Sequence, residues 1–179
     1  MEEGKVSVDG VTYALPEPFM VIATQNPFGS VGTQKLPESQ MDRFMIRVTM
    51  GYPSVEDEVS IMKSKTGGLS NRVLSKNVIN AQDFMAMRDI VDEVYVDDSI
   101  YEYVAKIVAK TRDSEDILQG ISPRGSISII NMAKAEAFLR GHDYVLPSDI
   151  QFVLNDTMAP RIILNRSLKR GHITEESVI

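Results

Sequence analysis

Apolar and polar positions change period along this chain, and each change predicts an element. Val6 and Val8 alternate with Ser7, and Val11 and Tyr13 with Thr12, on either side of Asp9-Gly10. Two short alternating runs around Asp-Gly predict a β-hairpin, because a two-residue type I′ turn needs positive φ and this dipeptide supplies it. Leu15-Pro16-Glu17-Pro18 reads as a stiff link. It leads into Phe19-Met20-Val21-Ile22-Ala23, an unbroken apolar run of the kind found in a strand buried on both faces. Thr24, Gln25 and Asn26 follow, and Pro27 stops the run. After Arg43 the positions alternate again, with Phe44, Ile46, Val48 and Met50 against Met45, Arg47 and Thr49. That pattern predicts a second strand near a sheet edge.

Beyond Gly51-Tyr52-Pro53 the period becomes helical. Ser54 is placed to cap a helix, with Asp57 three residues on and Glu56, Asp57 and Glu58 at the end where the helix dipole favours anions. Gly67-Gly68 closes it and is the expected hinge. Asn80 is an expected cap for a helix through Ile90, and Val94-Tyr95-Val96 has room for only a small bridge. Asp97 caps the next helix, where Ile100, Tyr103, Val104, Ile107 and Val108 form a core-facing stripe. Ser122-Pro123 starts another, with Ile127, Ile130, Ala133 or the stem of Lys134, and Phe138 on its expected buried side and Gly141 at its end. Pro147 opens the last, with Ile150, Val153, Leu154 and Met158 apolar. The four helices after Gly67-Gly68 are enough for a small bundle with its own core. The polar segment after Asn165 is expected to fray.

Three residues stand out chemically. Asn26 offers an amide at a strand tip, suited to orienting a water or binding a phosphate; the plainer reading is an asparagine that starts a turn before proline. Arg43 offers a permanent planar cation suited to charge developing on a phosphoryl group, or else a local ion pair with Glu38. Arg47 lies close by and reads as a solvated side chain. Arg124 falls in the first turn of its expected helix, where the dipole disfavours a cation. A cation beside a helix N-terminus makes an anion-binding arrangement; the plainer reading is a pair with Glu115 or Asp116.

PFMVIATQNP, followed by LPESQMDRFMIRVTMGYPS and later by SPRGSISIINMAKAEAFLRGHDYVLPSDI, resembles the MoxR group of AAA+ ATPases. The resemblance covers roughly the first 165 residues and aligns with the second half of that family's ATPase module. A glycine-rich phosphate loop, G-x-x-x-x-G-K-S/T, does not occur in the sequence: the only Gly-Lys pair is Gly4-Lys5, followed by Val6. The resemblance implies an α/β fold class, a partial AAA+ nucleotide-binding sheet, followed by an all-α lid helical bundle. The expected division is 1–68 for the nucleotide-binding part, 69–165 for the lid and 166–179 for a flexible tail. It makes Asn26 the sensor-1 residue, Arg43 the arginine finger donated to a neighbouring subunit, and Arg124 sensor 2. The implied cofactors are ATP and Mg2+, held mostly by a segment outside this sequence. The implied partners are further copies in a ring, a hexamer, and a protein with a von Willebrand A-type domain that the ATPase remodels or matures. In such rings a hairpin before the sensor strand often faces the pore, which would bring Lys5 near a client. Taken alone, the chain is expected to be inactive. Alternatives are a non-catalytic assembly or binding module, and a chelatase- or helicase-type AAA+ subunit.

The sequence departs from the family pattern at a few positions. Gly125 stands where alanine is usual, Leu146 where threonine commonly precedes the proline, and Pro160-Arg161 where the family often has His-Arg. The glycine is expected to loosen the helix start by up to about 1 kcal/mol, and the proline to end the last helix early.

Composition narrows the partners. Apolar residues make up 43% and charged residues 25%, as in globular proteins. The formal charge of −6 is spread evenly, with 6 basic and 9 acidic groups in residues 1–65 and 13 and 16 in residues 66–179. Without a basic half, nucleic-acid binding by bulk electrostatics is disfavoured. The absence of cysteine excludes disulfides and thiolate metal sites, and His142 and His172 are too few for a histidine zinc site, so no metal-ligating residue is assigned. No secretory signal or membrane-length apolar run is read, and the expected location is cytoplasmic.

Overall fold

A computed structural model describes residues 4–25, 36–66 and 79–165. The chain divides into two units: residues 1–47 with 81–179, and residues 48–80.

The first unit opens with the expected hairpin. Strands β1 (Lys5–Val8) and β2 (Val11–Ala14) pair antiparallel, Lys5 opposite Ala14 and Val8 opposite Val11. Asp9 (φ 51°) and Gly10 (φ 79°) both take the left-handed conformation that a type I′ turn demands. The strand expected at Phe19–Ala23 is not formed. Its residues have no ladder partner among the described residues, and Met20 and Ile22 are 72% and 80% exposed. The strand expected from Phe44 onward is likewise unpaired. An apolar run records a demand for burial. A strand also needs neighbours to take its backbone bonds, and among the described residues the ladders are β1–β2 and one short pair in the bundle.

A single turn of helix, α1 (Glu38–Met41), precedes Asp42 and Arg43. The second unit is built on α2 (Val55–Thr66). Ser54 caps α2 as expected: Asp57 N–H donates to Ser54 Oγ (3.1 Å), whose hydroxyl donates to the Asp57 carboxylate (2.8 Å). The hinge expected at Gly67-Gly68 lies outside the described residues.

The bundle returns to the first unit with α3 (Ala81–Glu93) and α4 (Asp98–Asp113). Asp97 caps α4 by accepting from Ser99 N–H at 2.9 Å. The predicted stripe is the core face: Ile100, Val104 and Val108 are buried, with Tyr103 and Ile107 partly so. The expected bridge is also present, Tyr95 pairing with Tyr144.

Helix α5 (Pro123–Leu139) has Ser122 at its cap and ends in a left-handed Gly141 (φ 81°), with His142 N–H returning to Ala137 O at 2.8 Å. Ala133 is buried and Ile130 and Phe138 partly buried, as expected, but the face departs from expectation at Ile127. Ile127 is 62% exposed, while Gly125, Ser128, Ile129, Ala133 and Ala137 are buried. That small-residue face meets α6 (Pro147–Met158), whose Ile150 and Val153 are buried as expected. Close approach between helices selects small residues, which a search for large apolar ones overlooks. Leu146 has no capping side chain, and its own N–H instead donates to the Asp149 carboxylate at 2.8 Å. Helix α6 stops just before Ala159-Pro160, as proline dictates.

A short antiparallel pair closes the bundle: β3 (Ile117–Gln119) against β4 (Ile163–Leu164). Thr111 of α4 accepts from Ile121 N–H (3.1 Å), and Arg112 Nε donates to Ile121 O (2.9 Å). Both backbone groups of Ile121 are thus fixed one residue before the cap of α5.

Candidate functional site

The site grows from one buried cation. Arg161 follows the proline that ends α6 and is only 4% exposed. Burying a guanidinium costs several kcal/mol unless its donors are matched, and here they are. Nε donates to Asp42 Oδ1 (3.1 Å). Nη1 donates to Met45 O (3.1 Å) and to Thr157 O. Nη2 donates to Asp42 O (3.2 Å), Phe44 O (2.6 Å) and Ser128 Oγ (3.0 Å). Burial pushes the Arg161 pKa below its ordinary value; the Asp42 carboxylate opposes that shift and the nearby Arg124 adds to it.

Asp42 carries the connection onward. Its carboxylate accepts from Ser122 Oγ at 3.0 and 3.1 Å, while Ser122 Oγ accepts from Gly125 N–H at 3.2 Å. Ser128, which takes a bond from Arg161, donates to Arg124 O at 3.1 Å. One network therefore joins the backbone on both sides of Arg43 to the first turn of α5, where Arg124 lies.

Of the residues singled out in the sequence, Arg43 and Arg124 are both exposed. Among the described residues the Arg43 guanidinium makes no ion pair, so the local pairing with Glu38 does not form. Asn26 lies outside the described residues. Arg47 donates its backbone N–H to Asp156 O at 2.8 Å, which continues the attachment of this segment to α6.

Sequence reasoning missed Asp42, Ser122 as a bridge, Ser128 and Arg161. One signal was present. Arg161 is the single charge in the stretch from Thr157 to Leu164. A cation embedded in an apolar segment is either snorkelling or buried against a dedicated partner.

Comparison with known proteins gives this geometry a context. The ATPase family associated with various cellular activities (AAA) matches residues 1–46, and the AAA lid domain family matches residues 109–179. The chain is 42% identical over 179 residues to the uncharacterized protein YeaC of Bacillus subtilis, covering 100% of this chain and 56% of that protein. It is 35% identical over 188 residues to the chaperone MoxR1 of Mycobacterium tuberculosis, covering 100% of this chain and 49% of that protein. A solved structure from Cytophaga hutchinsonii, whose own description proposes an ATPase, superposes with a TM-score of 0.86 at 33% identity, over 99% of this chain and 56% of that one. The chain thus spans about half the length of the relatives it matches. Its fold class is part of an AAA+ α/β domain followed by a helical lid. No helix among the described residues is long and apolar enough to cross a membrane. The chain belongs to the AAA+ ATPases, in their MoxR group.

Proposed function

We propose that this chain is the sensor and lid portion of a ring-forming ATPase that remodels or matures a partner protein. The ring is a hexamer, and the partner carries a von Willebrand A-type domain. The observation that carries this reading is Arg43, an exposed guanidinium with no ion pair among the described residues, on a backbone fixed at either side and tied to the helix turn that bears Arg124. The donor set fits triphosphate and not metal, because guanidiniums bind phosphate oxygens and cannot ligate a cation. Mg2+ and the body of ATP belong to a phosphate loop outside this sequence, and when bound the metal neutralises charge on the phosphates.

In this reading Arg43 reaches the nucleotide of the neighbouring subunit and stabilises charge on the transferring phosphoryl group. Arg124 reaches the nucleotide of its own subunit, helped by the N-terminal N–H groups of α5. Asn26, assigned on the family resemblance, orients the attacking water. Positioning and charge neutralisation supply most of the catalysis in such transfers, and an arginine finger contributes about 10³–10⁵ in rate. The test is Arg43→Ala in the protein that joins this chain to its phosphate loop. Turnover should fall by about 10³ or more with ATP binding retained, and unchanged turnover refutes the assignment. The chain by itself should hydrolyse no ATP.

A further inference from the structure

We infer that Arg161 is a positioning residue for Arg43: it clamps the backbone on both sides of the finger and fixes the direction in which Arg43 leaves the subunit. The inference rests on the reading of Arg43 given above.

Three carbonyls of one short segment, those of Asp42, Phe44 and Met45, converge on the same guanidinium. Between them lies Arg43, whose side chain is exposed. A loop carbonyl normally bonds water, and gathering three onto a buried cation fixes the local backbone far more firmly than solvent does. The fork is also the right chemical shape. Arg161 presents its donors in a rigid plane; Nε and Nη2 take the carboxylate and carbonyl of Asp42, while both terminal nitrogens take the carbonyls beyond Arg43. A lysine has the charge but not the planar spread of donors.

The other end of the clamp is equally well seated. Arg161 Nη1 also donates to Thr157 O, within the last turn of α6, and Nη2 to Ser128 of α5. The segment bearing Arg43 is therefore referenced to the two helices at the centre of the lid. A finger that acts on a different subunit must arrive at a fixed angle, and a displacement of about 1 Å can cost about 10²-fold in rate. The sheet does not supply this rigidity, since residues 44–47 have no ladder partner among the described residues.

The test uses the complete ring-forming protein, with Arg161→Lys and Asp42→Asn as the variants and Arg43→Ala as the benchmark. Ring assembly and melting temperature identify any variant that fails to fold; Asp42→Asn keeps an acceptor and is the milder change. Arg161→Lys is expected to lower kcat for ATP by about 10²-fold with KM within about twofold, since the Ser122 cap that holds the turn of Arg124 remains in place. Amide exchange at Arg43, Phe44 and Arg47 should accelerate in Arg161→Lys and stay normal in Arg43→Ala. Mixing Arg161→Lys subunits with subunits whose phosphate-loop lysine is replaced should restore turnover, because the second kind donates an intact finger to the first. A purely structural lesion would not be restored in that way. Normal kcat in Arg161→Lys beside an inactive Arg43→Ala overturns the clamp alone, as does a loss that mixing does not repair. Full turnover in Arg43→Ala overturns the reading of the finger, and this role with it.

Discussion

Gly125 makes the room that Arg161 occupies: a Cβ added at Gly125 would lie 2.9 Å from Arg161 Cδ and 2.5 Å from Ile121 Cγ2. The sequence alone suggests that glycine here merely loosens the start of α5. In the fold it lets a buried arginine side chain cross the helix at close range. Gly125→Ala should therefore destabilise the bundle although alanine is the better helix former. Overpacking costs about 1–3 kcal/mol, against a propensity gain of at most about 1 kcal/mol. The measurement is the midpoint of urea unfolding, expected to fall with an unchanged slope; a raised midpoint would show that Arg161 moves aside freely.

Ser122 serves two partners through one hydroxyl, accepting from Gly125 N–H and donating to Asp42. Ser122→Ala removes a helix cap and an interaction with a carboxylate together. The expected loss is about 1–3 kcal/mol, more than a cap alone usually gives. Coupling to Asp42→Ala is the sharper check. In a double-mutant cycle the two substitutions should be non-additive, whereas strict additivity would mean that the bond between them contributes nothing.

Asp97 sets an acid limit on α4. Hydrogen bonds first from the Ser99 hydroxyl, then from Ser99 N–H and the Tyr95 hydroxyl, hold its carboxylate below the ordinary pKa. A carboxylate whose pKa is lowered by folding contributes stability that is present above its unfolded pKa and disappears as pH falls through the folded one. The melting temperature of Asp97→Ala should thus lie below that of the native chain at neutral pH, and the gap should close below about pH 4. Melting curves across that range decide the point; a gap that persists in strong acid assigns the effect to shape instead of charge.

Arg140 is tied to three groups: Glu136 Oε1 at 2.6 Å, the Phe152 ring at 5.2 Å from its centroid, and Asp149 Oδ1 at 3.5 Å. Asp149 is fully buried and Arg140 is 38% exposed. Arg140→Ala leaves Asp149 buried with its cation gone, so the cost should exceed the ~1 kcal/mol ceiling of a surface pair, and the partial exposure of Arg140 keeps it below the 3–5 kcal/mol scale of a fully buried one, at about 1–3 kcal/mol. Lys106→Ala, which breaks the solvent-exposed pair with Glu102, is the control and should be nearly neutral. Equal effects in thermal unfolding would show that Asp149 gains nothing from Arg140.

Some of this was legible in the linear chain because its causes are local. Asp9-Gly10 specified its turn, Ser54, Asp97 and Ser122 marked helix starts, Gly141 and Pro160 marked ends, and the spacing from Ile100 to Val108 named a buried face. The family was legible because ATQNP and LPESQMDRF form a long pattern at fixed spacing. Helical spacing predicts Ile127 on the buried side of α5, but it is exposed, since which face is covered depends on how closely α6 approaches. The apolar run Phe19–Ala23 predicts a strand buried on both faces, but a strand needs pairing, which is a property of neighbours and not of the run itself.

The sequence by itself determined the kind of module and the caps and turns of its bundle. The caps and turns follow from dihedral preferences and periodicity within a few residues of chain, and the kind of module from the motif pattern that resembles the MoxR group. Only the tertiary structure decided that Arg161 lies against Asp42, more than a hundred positions earlier, and takes the backbone around Arg43 in its fork. A buried charge must find enough acceptors to replace its lost water, and which acceptors those are is set by packing in three dimensions, which no local pattern encodes.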